Sequence, residues 1–309
     1  MPSPALVCLG EPMIEFNHTD PHEPRWLQGF GGDTSNAAIA AARQGVSVGY
    51  VTALGQDHFG DRFIDLWQRE NVDCARVIRR DDAHTAVYFV THDAHGHQFH
   101  YLRAGSAASR LGPGDLPSDY LAGTRILHLS GISQAISAAA RDAGFAAIDI
   151  VKAAGGRVSY DTNLRLKLWP LDQARDVIHA AIARADIALP SFDDATHLTG
   201  LSEPDAIVDF YLRLGPPIVA LKLGKDGALV ATPHGRQRIA ARRVKAVDAT
   251  GAGDTFAGAF LAQLLDGSDP VAAARWANAA AALKTTGFGA IAPMPSRAAV
   301  EAFLVAPSP

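Results

Sequence analysis

Short apolar strand patterns alternate with helical patterns along most of this 309-residue chain. Residues 5–10 (ALVCLG) are typical of a buried strand, 34–45 (TSNAAIAAARQG) of a helix, and 48–55 (VGYVTALG) of a further strand. A helical pattern follows over about 57–70, and the alternation returns from Ile126 in RILHLSG, RVSYDTN, ADIALP and PIVALKLG. Repeated strand–helix units predict an α/β fold with a mostly parallel sheet and helices on both of its faces.

Two segments interrupt this alternation with β patterns, residues 11–32 and 84–105. The second, which includes TAVYFVTHDAHGHQFHYLRAG, predicts two strands joined by a turn around 93–96. Two such insertions can pair as a small sheet over one edge of the larger sheet, where the carboxyl ends of parallel strands bind ligands. We therefore expect a large α/β domain (1–10, 33–83 and 106–309) and a β flap (11–32 and 84–105).

Composition excludes several classes of function. The 28 basic and 32 acidic side chains give a net charge of −4 and are dispersed, so no nucleic-acid partner is expected. The N-terminus has no basic signal-peptide region, and Arg275, Trp276 and Asn278 break the most apolar late stretch, so no membrane partner is expected either. Cys8 and Cys74 have no metal-type spacing, which favours reduced thiols and a cytoplasmic protein.

The strongest local motif is VDATGAGDTFAGAF, over residues 247–260. Gly251, Ala252 and Gly253 allow a tight turn before a helix that begins near Asp254, so backbone N–H groups and the helix N-terminus form an anion site there. A carboxylate beside an anion site suits a general base, although Asp254 could equally cap the helix.

Two other glycine-rich fingerprints are missing from the sequence. No GxGxxG follows the first strand, and the pair Gly224-Lys225 precedes Asp226 rather than Ser or Thr. Both a dinucleotide-dependent dehydrogenase and a P-loop NTPase are therefore disfavoured.

The motif DATGAGDTFAGAF resembles the second signature of the ribokinase (PfkB) family of carbohydrate kinases, and GFGGDTSNAAIAAARQG (29–45) resembles the first. The resemblance covers essentially the whole chain. It implies a ribokinase-like fold with a small β-sheet lid, phosphoryl transfer from ATP to a sugar hydroxyl, use of Mg²⁺, and room for a monovalent cation such as K⁺. It also implies that Asp254 is the catalytic base, beside the anion hole of Gly251, Ala252 and Gly253.

Within the family, the segments GEPMIEF, GFGGDTSN, YVTALGQDHFG, HLSGIS and SYDTNLRLKLWP are similar to 2-keto-3-deoxygluconate (KDG) kinases. This implies a small sugar-acid substrate whose terminal hydroxyl is phosphorylated, and substrate contacts from Gly32, Asn36, Tyr88, Tyr101, Arg103 and Arg165. Arginine is well suited to a substrate carboxylate. The simpler alternatives are a solvated charge for each arginine and a packing role for each tyrosine.

The resemblance also implies five nucleotide-binding residues. Lys222, Gly224 and Gly227 lie in LKLGKDG (221–227), Ser191 precedes this segment, and Asn278 lies in the late helical region. Where the family often has Asn-x-x-Glu, this chain has SFDD, with Ser191 in place of the amide and Asp194 as the shorter carboxylate. Asp194 is therefore expected to assist Mg²⁺ through water, because Mg²⁺ keeps several waters and binds substrate phosphates.

Some alternatives remain open from the sequence. His92, His95, His97 and His100 lie in one hairpin, which an exposed polar turn explains better than a metal site. The substrate could be a neutral sugar or a nucleoside, as for a fructokinase or ribokinase, or the chain could be a non-catalytic sugar sensor. Exposed edges of a small lid sheet favour a homodimer or higher homo-oligomer.

Overall fold

Fifteen strands, eleven α-helices and three short 3₁₀-helices occur in residues 3–18, 23–93 and 96–306, the part of the chain that this computed structural model describes. The strands are β1 (Leu6–Leu9), β2 (Met13–Asn17), β3 (Leu27–Gly31), β4 (Val48–Val51), β5 (Ala53–Gly55), β6 (Val72–Asp73), β7 (Ile78–Arg80), β8 (Val87–Asp93), β9 (Gly96–Leu102), β10 (Ile126–Ser130), β11 (Arg157–Asp161), β12 (Ile187–Ala188), β13 (Ile218–Lys222), β14 (Ala228–Thr232) and β15 (Gly235–Ile239). The helices are α1 (Asp33–Arg43), α2 (His58–Arg69), α3 (Ser118–Ala122), α4 (Gly131–Ala135), α5 (Ala138–Ala153), α6 (Leu171–Ile182), α7 (Phe192–Thr199), α8 (Pro204–Leu214), α9 (Ala252–Leu265), α10 (Pro270–Lys284) and α11 (Arg297–Val305).

The larger sheet has nine strands in the order β15-β14-β13-β12-β11-β10-β1-β4-β6. Neighbouring strands from β13 to β6 are parallel, and the hairpin β14–β15 is antiparallel at one end. This confirms the mostly parallel sheet predicted from the strand–helix alternation. The parallel strands also bring their carboxyl ends to one edge, where ligands bind in sheets of this kind.

Helices cover both faces of the larger sheet and enclose two hydrophobic cores. Along β1 the side chains alternate, with Leu6 and Cys8 in one core and Val7 and Leu9 in the other. Because successive strand residues point to opposite faces, a short strand that is apolar throughout must be covered on both sides. In the described ranges, no helix is both long and apolar enough to cross a lipid bilayer.

A smaller, separate sheet, here called the lid sheet, has the order β3-β2-β8-β9. It combines strands from both predicted β insertions, with β2 parallel to β8 and the other pairs antiparallel. The small sheet expected from the resemblance is thus confirmed. The turn predicted around 93–96 lies partly outside the described residues, because 94–95 are not among them.

The run 48–55, taken as one strand from the sequence, is two strands in different sheets. β4 belongs to the larger sheet, whereas β5 pairs with β7 in a two-stranded sheet. The chain changes sheet at the buried Thr52, whose backbone carbonyl accepts a hydrogen bond from the Ile78 N–H (3.0 Å). No glycine or proline marks this change, so the sequence pattern alone gives no signal for it.

The late helical region of the sequence consists of two helices, α9 and α10. Gly267 adopts a positive φ of 92° after α9. Asp269 then begins α10 by accepting hydrogen bonds from the N–H groups of Val271 (2.9 Å) and Ala272 (3.0 Å). A glycine with positive φ followed by an aspartate cap and a proline is a strong helix stop and restart signal.

Candidate active site

The N-terminal ends of α1 and α9 lie side by side at the carboxyl edge of the larger sheet. Gly258 permits this, because a Cβ there would lie 2.2 Å from the backbone oxygen of Ala37. The close approach brings Asn36 to Asp254, and the Asn36 Nδ2 donates a 2.8 Å hydrogen bond to Asp254 Oδ2. Two residues that the sequence assigned to different roles thus form one contact.

Asp254 lies in the first turn of α9, directly after the glycine-rich turn. Gly251 precedes the helix with a φ of 76°, in the left-handed region that favours glycine. Its carbonyl accepts hydrogen bonds from the Thr255 N–H (2.9 Å) and hydroxyl (2.8 Å), which fixes the first turn. The positive end of the helix therefore lies beside Asp254, the arrangement expected of an anion site next to a carboxylate.

Lys222 approaches the same turn from the end of β13. Its Nζ lies 3.6 Å from where a Cβ on Gly253 would be. The same ammonium donates to Asp161 Oδ2, at the end of β11, over 2.5 Å, and both side chains are largely buried. Burial raises the pKa of Asp161, whereas Lys222 acts in the opposite direction. A cation held in this way can face phosphate oxygens beside the helix N-terminus.

The pKa of the Asp254 carboxyl is raised towards neutral pH. Burial raises its pKa to about 7, helped by the nearby carboxylates of Asp33 and Asp161, while the Asn36 hydrogen bond and Lys222 act against the increase. A carboxyl with a pKa near the working pH both accepts a proton readily and is present in its ionised form. Its position and its pKa therefore both suit a general base.

Two oxygen atoms near Asp254 are buried without a hydrogen-bond partner among the described residues, Asp33 Oδ1 and Asn36 Oδ1. Asp33 Oδ2 accepts a 2.7 Å hydrogen bond from Asn163 Nδ2, so the carboxylate is held in place. Asn163 has a φ of 29°, which places it just inside the left-handed region. Buried acceptors that lack donors are open to a hydrogen bond from a ligand or from water.

The lid sheet supplies an aromatic surface. Tyr88 and Tyr101 are opposite each other on β8 and β9 and stack with ring centroids 5.8 Å apart. The Tyr88 hydroxyl donates to Glu15, and the Arg103 guanidinium lies 5.3 Å from the Tyr101 ring centre. Tyr88 is buried, so packing accounts for part of its role, whereas Tyr101 keeps 38% of its surface exposed.

Arg103 is already paired within the chain. Its Nη2 donates to Glu11, a fully buried carboxylate just after β1 that also accepts a hydrogen bond from Ser106 Oγ (3.3 Å). Burial raises the pKa of Glu11, and Arg103 opposes this. The arginine is therefore not a solvated charge. Its Nε is buried without a hydrogen-bond partner among the described residues, so the guanidinium still has a donor to satisfy.

Arg165 lies in a different environment. It is exposed, and its Nη1 donates to the neighbouring Leu164 carbonyl over 2.8 Å. Asp194 holds this loop, since its Oδ2 accepts hydrogen bonds from Thr162 Oγ1 (3.1 Å) and the Leu164 N–H (3.2 Å). Asp194 thus supports the loop that carries Arg165, and no described contact joins Arg165 to Arg103.

Two of the predicted nucleotide residues, Gly227 and Asn278, meet at the backbone oxygen of Ile239. Gly224 (φ 57°) and Gly227 (φ 93°) shape the turn after β13, and a Cβ on Gly227 would lie 2.0 Å from the Ile239 oxygen. The Asn278 side chain donates to that same oxygen over 3.2 Å. Asn278 also lines a cleft of about 320 Å³, together with Arg238, Ile239, Ala240, Arg242, Arg275 and Leu304.

Ser191 has a clear structural role. Its hydroxyl accepts a 3.2 Å hydrogen bond from the Asp194 N–H and so caps α7. Gly32, which has a φ of 113°, directly precedes α1. It lets the backbone pass close to Glu11, because a Cβ on Gly32 would lie 2.6 Å from the Glu11 backbone oxygen. Both positions are thus explained locally, and a contact with a ligand would be additional to these roles.

Sequence reasoning did not assign roles to four polar residues of this site: Glu11, Asp33, Asp161 and Asn163. Glu11, Asp161 and Asn163 lie at or just after the carboxyl ends of the parallel strands β1 and β11, where ligand-binding side chains gather, and Asp33 begins α1. That position was the available signal. Of the four hairpin histidines noted in the sequence, His95 lies outside the described residues. The structure therefore does not test whether these histidines form a metal site.

The chain is similar to known carbohydrate kinases over most of its length. The sequence profile of the pfkB family carbohydrate kinases matches residues 3–297. The 2-dehydro-3-deoxygluconokinase of Bacillus subtilis (strain 168) is 35% identical over 97% of this chain and 95% of its own length. The enzyme of the same name from Thermoproteus tenax is 34% identical over 90% and 87%. Fructokinase-1 of Zea mays is 33% identical over 96% of each chain.

Solved structures give the same result. The fructokinase of Vibrio cholerae O395 with fructose, ADP and calcium has a TM-score of 0.88 at 32% identity, over 97% of this chain and 99% of that one. A double mutant of it with fructose, ADP and potassium gives 0.87 at 30%, over 98% and 99%. The fructokinase of Xylella fastidiosa with bound ATP gives 0.88 at 25%, over 97% of each.

The fold and the matches together define an ATP-dependent sugar kinase with a ribokinase-like fold. This chain belongs to the pfkB family of carbohydrate kinases.

Proposed function

We propose that this kinase phosphorylates the terminal hydroxyl of KDG, also called 2-dehydro-3-deoxygluconate, or of a closely similar sugar acid. ATP is the phosphoryl donor and Asp254 the base. The lid (11–32 and 84–105) covers the sugar, and the remainder of the chain holds the nucleotide and the catalytic turn. A cytoplasmic location, where ATP is available, is part of the proposal.

The chemistry follows from the position of Asp254. Its carboxylate takes the proton of the substrate hydroxyl as that oxygen attacks the γ-phosphorus of ATP. The bond between the γ-phosphorus and the bridging oxygen then breaks, and ADP leaves. The N-terminal end of α9, at Gly251–Gly253, and the Lys222 ammonium stabilise the negative charge on the transferred group.

The observation that carries the acid assignment is the buried Nε of Arg103 in the lid, which has no hydrogen-bond partner within the described part of the chain. An arginine whose charge is only partly used needs a further acceptor, and a carboxylate provides the strongest one. Arg165, exposed on the loop after β11, supplies a second cation. Asp33 Oδ1 and Asn36 Oδ1 would accept hydrogen bonds from sugar hydroxyls. The identity to the two 2-dehydro-3-deoxygluconokinases supports the same substrate.

A neutral sugar is the second candidate, and one contact favours it. Glu11 already neutralises the charge of Arg103. The Asp33 carboxylate, whose Oδ1 has no hydrogen-bond partner among the described residues, would repel an acid placed close to it. The similarity to Fructokinase-1 of Zea mays is also close. A fructokinase-type activity would use the same base and the same catalytic turn.

We further propose that Mg²⁺ accompanies ATP and that Asp194 assists it through water. Among the described residues, no cluster of three or more His, Cys, Asp or Glu could hold a metal ion. Since Mg²⁺ normally relies on substrate phosphates and water, a single nearby carboxylate such as Asp194 fits it. When bound, the ion neutralises phosphate charge and orients the nucleotide. We propose the nucleotide itself to lie along Lys222, Gly224 and Gly227, with Ser191 and Asn278 nearby.

A thermal-shift screen tests the substrate assignment. The protein is heated with a non-hydrolysable ATP analogue and, in turn, KDG, fructose, ribose or adenosine. We expect KDG to raise Tm most, because a ligand that binds only the folded state stabilises it according to its affinity. A larger shift with fructose or ribose than with KDG would favour the neutral-sugar kinase.

A further inference from the structure

Lys284, in the last turn of α10, is a fully buried lysine. Its Nζ donates a 2.8 Å hydrogen bond to the backbone carbonyl of Asp248. Lysine is almost never fully buried unless its ammonium is paired, because removing that charge from water is costly. The burial of the Lys284 ammonium therefore needs a specific explanation.

Asp248, whose carbonyl accepts the Lys284 hydrogen bond, organises the segment before the glycine-rich turn at Gly251–Gly253. Asp248 Oδ1 accepts hydrogen bonds from the Thr250 N–H (2.9 Å) and hydroxyl (2.7 Å). Its Oδ2 accepts one from the Gly289 N–H (2.8 Å). Asp248 thus ties residues 248–250 to the segment after α10. One residue further on, a Cβ on Gly251 would lie 3.1 Å from the Ala290 oxygen, so the two segments remain in contact up to the start of α9.

The backbone at the end of α10 also binds the segment before the glycine-rich turn. The Thr285 carbonyl accepts hydrogen bonds from the N–H groups of Val247 (2.7 Å) and Asp248 (3.1 Å). The C-terminal end of a helix carries partial negative charge, which a cation stabilises. The Lys284 ammonium thus serves the end of α10 and the Asp248 carbonyl together.

The charge of Lys284 also affects the site itself. Burial lowers the pKa of Lys284, while the carboxylates of Asp248 and Asp254 favour its charged form. The site contains further carboxylates in Asp33 and Asp161, and these raise the pKa of Asp254. A second fixed cation besides Lys222 reduces the negative potential that would otherwise repel ATP phosphates.

We propose that Lys284 is a positioning residue that acts as a built-in cation. It fixes residues 248–251 so that the anion site of α9 and the base Asp254 are aligned, and it makes a free monovalent cation unnecessary for turnover. This proposal rests on the role proposed for Asp254, and it departs from the room for a monovalent cation such as K⁺ that the family resemblance implies.

The first test compares Lys284→Met with Lys152→Met, a control at an exposed lysine paired with Asp186. Each is assayed with ATP and the sugar that the wild type uses fastest, so the test does not depend on KDG. We expect Lys284→Met to lower kcat roughly ten- to a hundredfold through misalignment, with KM for the sugar little changed. The control should match the wild type. A folded Lys284→Met that keeps kcat would overturn the proposal.

The second test uses Lys284→Ala and does not require the methionine variant to fold. Propylammonium should restore part of kcat, whereas propanol, of the same length but uncharged, should not. Equal effects of the two compounds would show that only packing was lost, and the proposal would fail.

The third test needs no variant. The wild-type rate should be the same in Na⁺, K⁺ and choline salts of equal ionic strength. A strong and specific activation by K⁺ would mean that Lys284 does not replace a free cation. Failure of the base assignment is seen separately, as an Asp254→Asn variant that keeps its activity.

Discussion

Asn36 Nδ2 and Asp254 Oδ2 lie 2.8 Å apart, although 218 positions separate the two residues in the chain. The contact joins the first turns of α1 and α9. A carboxylate that is held by an amide, lies at a helix N-terminus and has a pKa near neutrality is ready to accept a proton from a bound hydroxyl.

Asp254→Asn should lower kcat by roughly 10²–10⁴, the usual contribution of a positioned base. Binding of ATP and sugar should change little, because the amide has nearly the same shape. Asp176→Asn, at an exposed position on α6, is the matched control and should behave as the wild type. Steady-state kinetics and calorimetric binding measure both effects. If Asp254→Asn kept more than about a third of kcat, the residue would be only a helix cap.

The pH profile of kcat/KM should show an acidic limb with a midpoint near the pKa of Asp254, about 7. Activity should rise with pH through this midpoint, because the base acts in its ionised form. The Asn36 hydrogen bond lowers this pKa, so Asn36→Ala should move the limb to higher pH. A limb that stays in place or moves to lower pH in Asn36→Ala would contradict the assignment.

The larger sheet could be predicted because its strands are short, apolar and separated by helical patterns, a signal that is local in the sequence. The glycine-rich turn before α9 could be predicted for the same reason, since Gly251–Asp254 are adjacent. The change of sheet at Thr52 could not, because hydrogen bonds to a distant strand cause it and no glycine or proline marks it.

Ion pairs between residues far apart in the chain are the other feature that the sequence pattern does not predict. Glu11 and Arg103 are 92 positions apart, and Asp161 and Lys222 are 61 apart. Nothing in the local pattern says that these charges meet. The sequence therefore predicts Arg103 as a substrate-binding cation, but it does not predict the buried Glu11 as its partner.

Glu11→Gln should destabilise the fold by about 3 kcal/mol, because it leaves the Arg103 charge buried without its counter-charge. Asp149→Asn breaks the exposed pair with Arg184 and should cost at most about 1 kcal/mol. Urea unfolding measures both. The double variant Glu11→Gln/Arg103→Met should recover much of the loss. If Glu11→Gln cost no more than Asp149→Asn, the Glu11–Arg103 pair would not hold the lid.

The lid sheet should form the contact of a homodimer. Large apolar side chains are exposed there, among them Leu27 (64%) and Leu102 (59%), and a small sheet also exposes strand edges. Leu102→Glu should therefore produce monomers, while Val305→Glu, at an exposed apolar residue at the end of α11, should not. Sedimentation at micromolar concentration distinguishes the two. A monomeric wild type would exclude this interface.

The substrate is tested most directly by kcat/KM of the wild type, Arg165→Ala and Arg103→Ala with KDG, fructose and ribose. An arginine–carboxylate contact contributes on the order of 1.5–3 kcal/mol, so either variant should lose roughly ten- to two-hundredfold with KDG. Arg165→Ala, which breaks no internal ion pair, should leave the neutral sugars nearly unchanged. The wild type should prefer KDG. Equal losses with all three sugars in Arg165→Ala, or a wild type that prefers fructose or ribose about a hundredfold, would contradict the sugar-acid kinase.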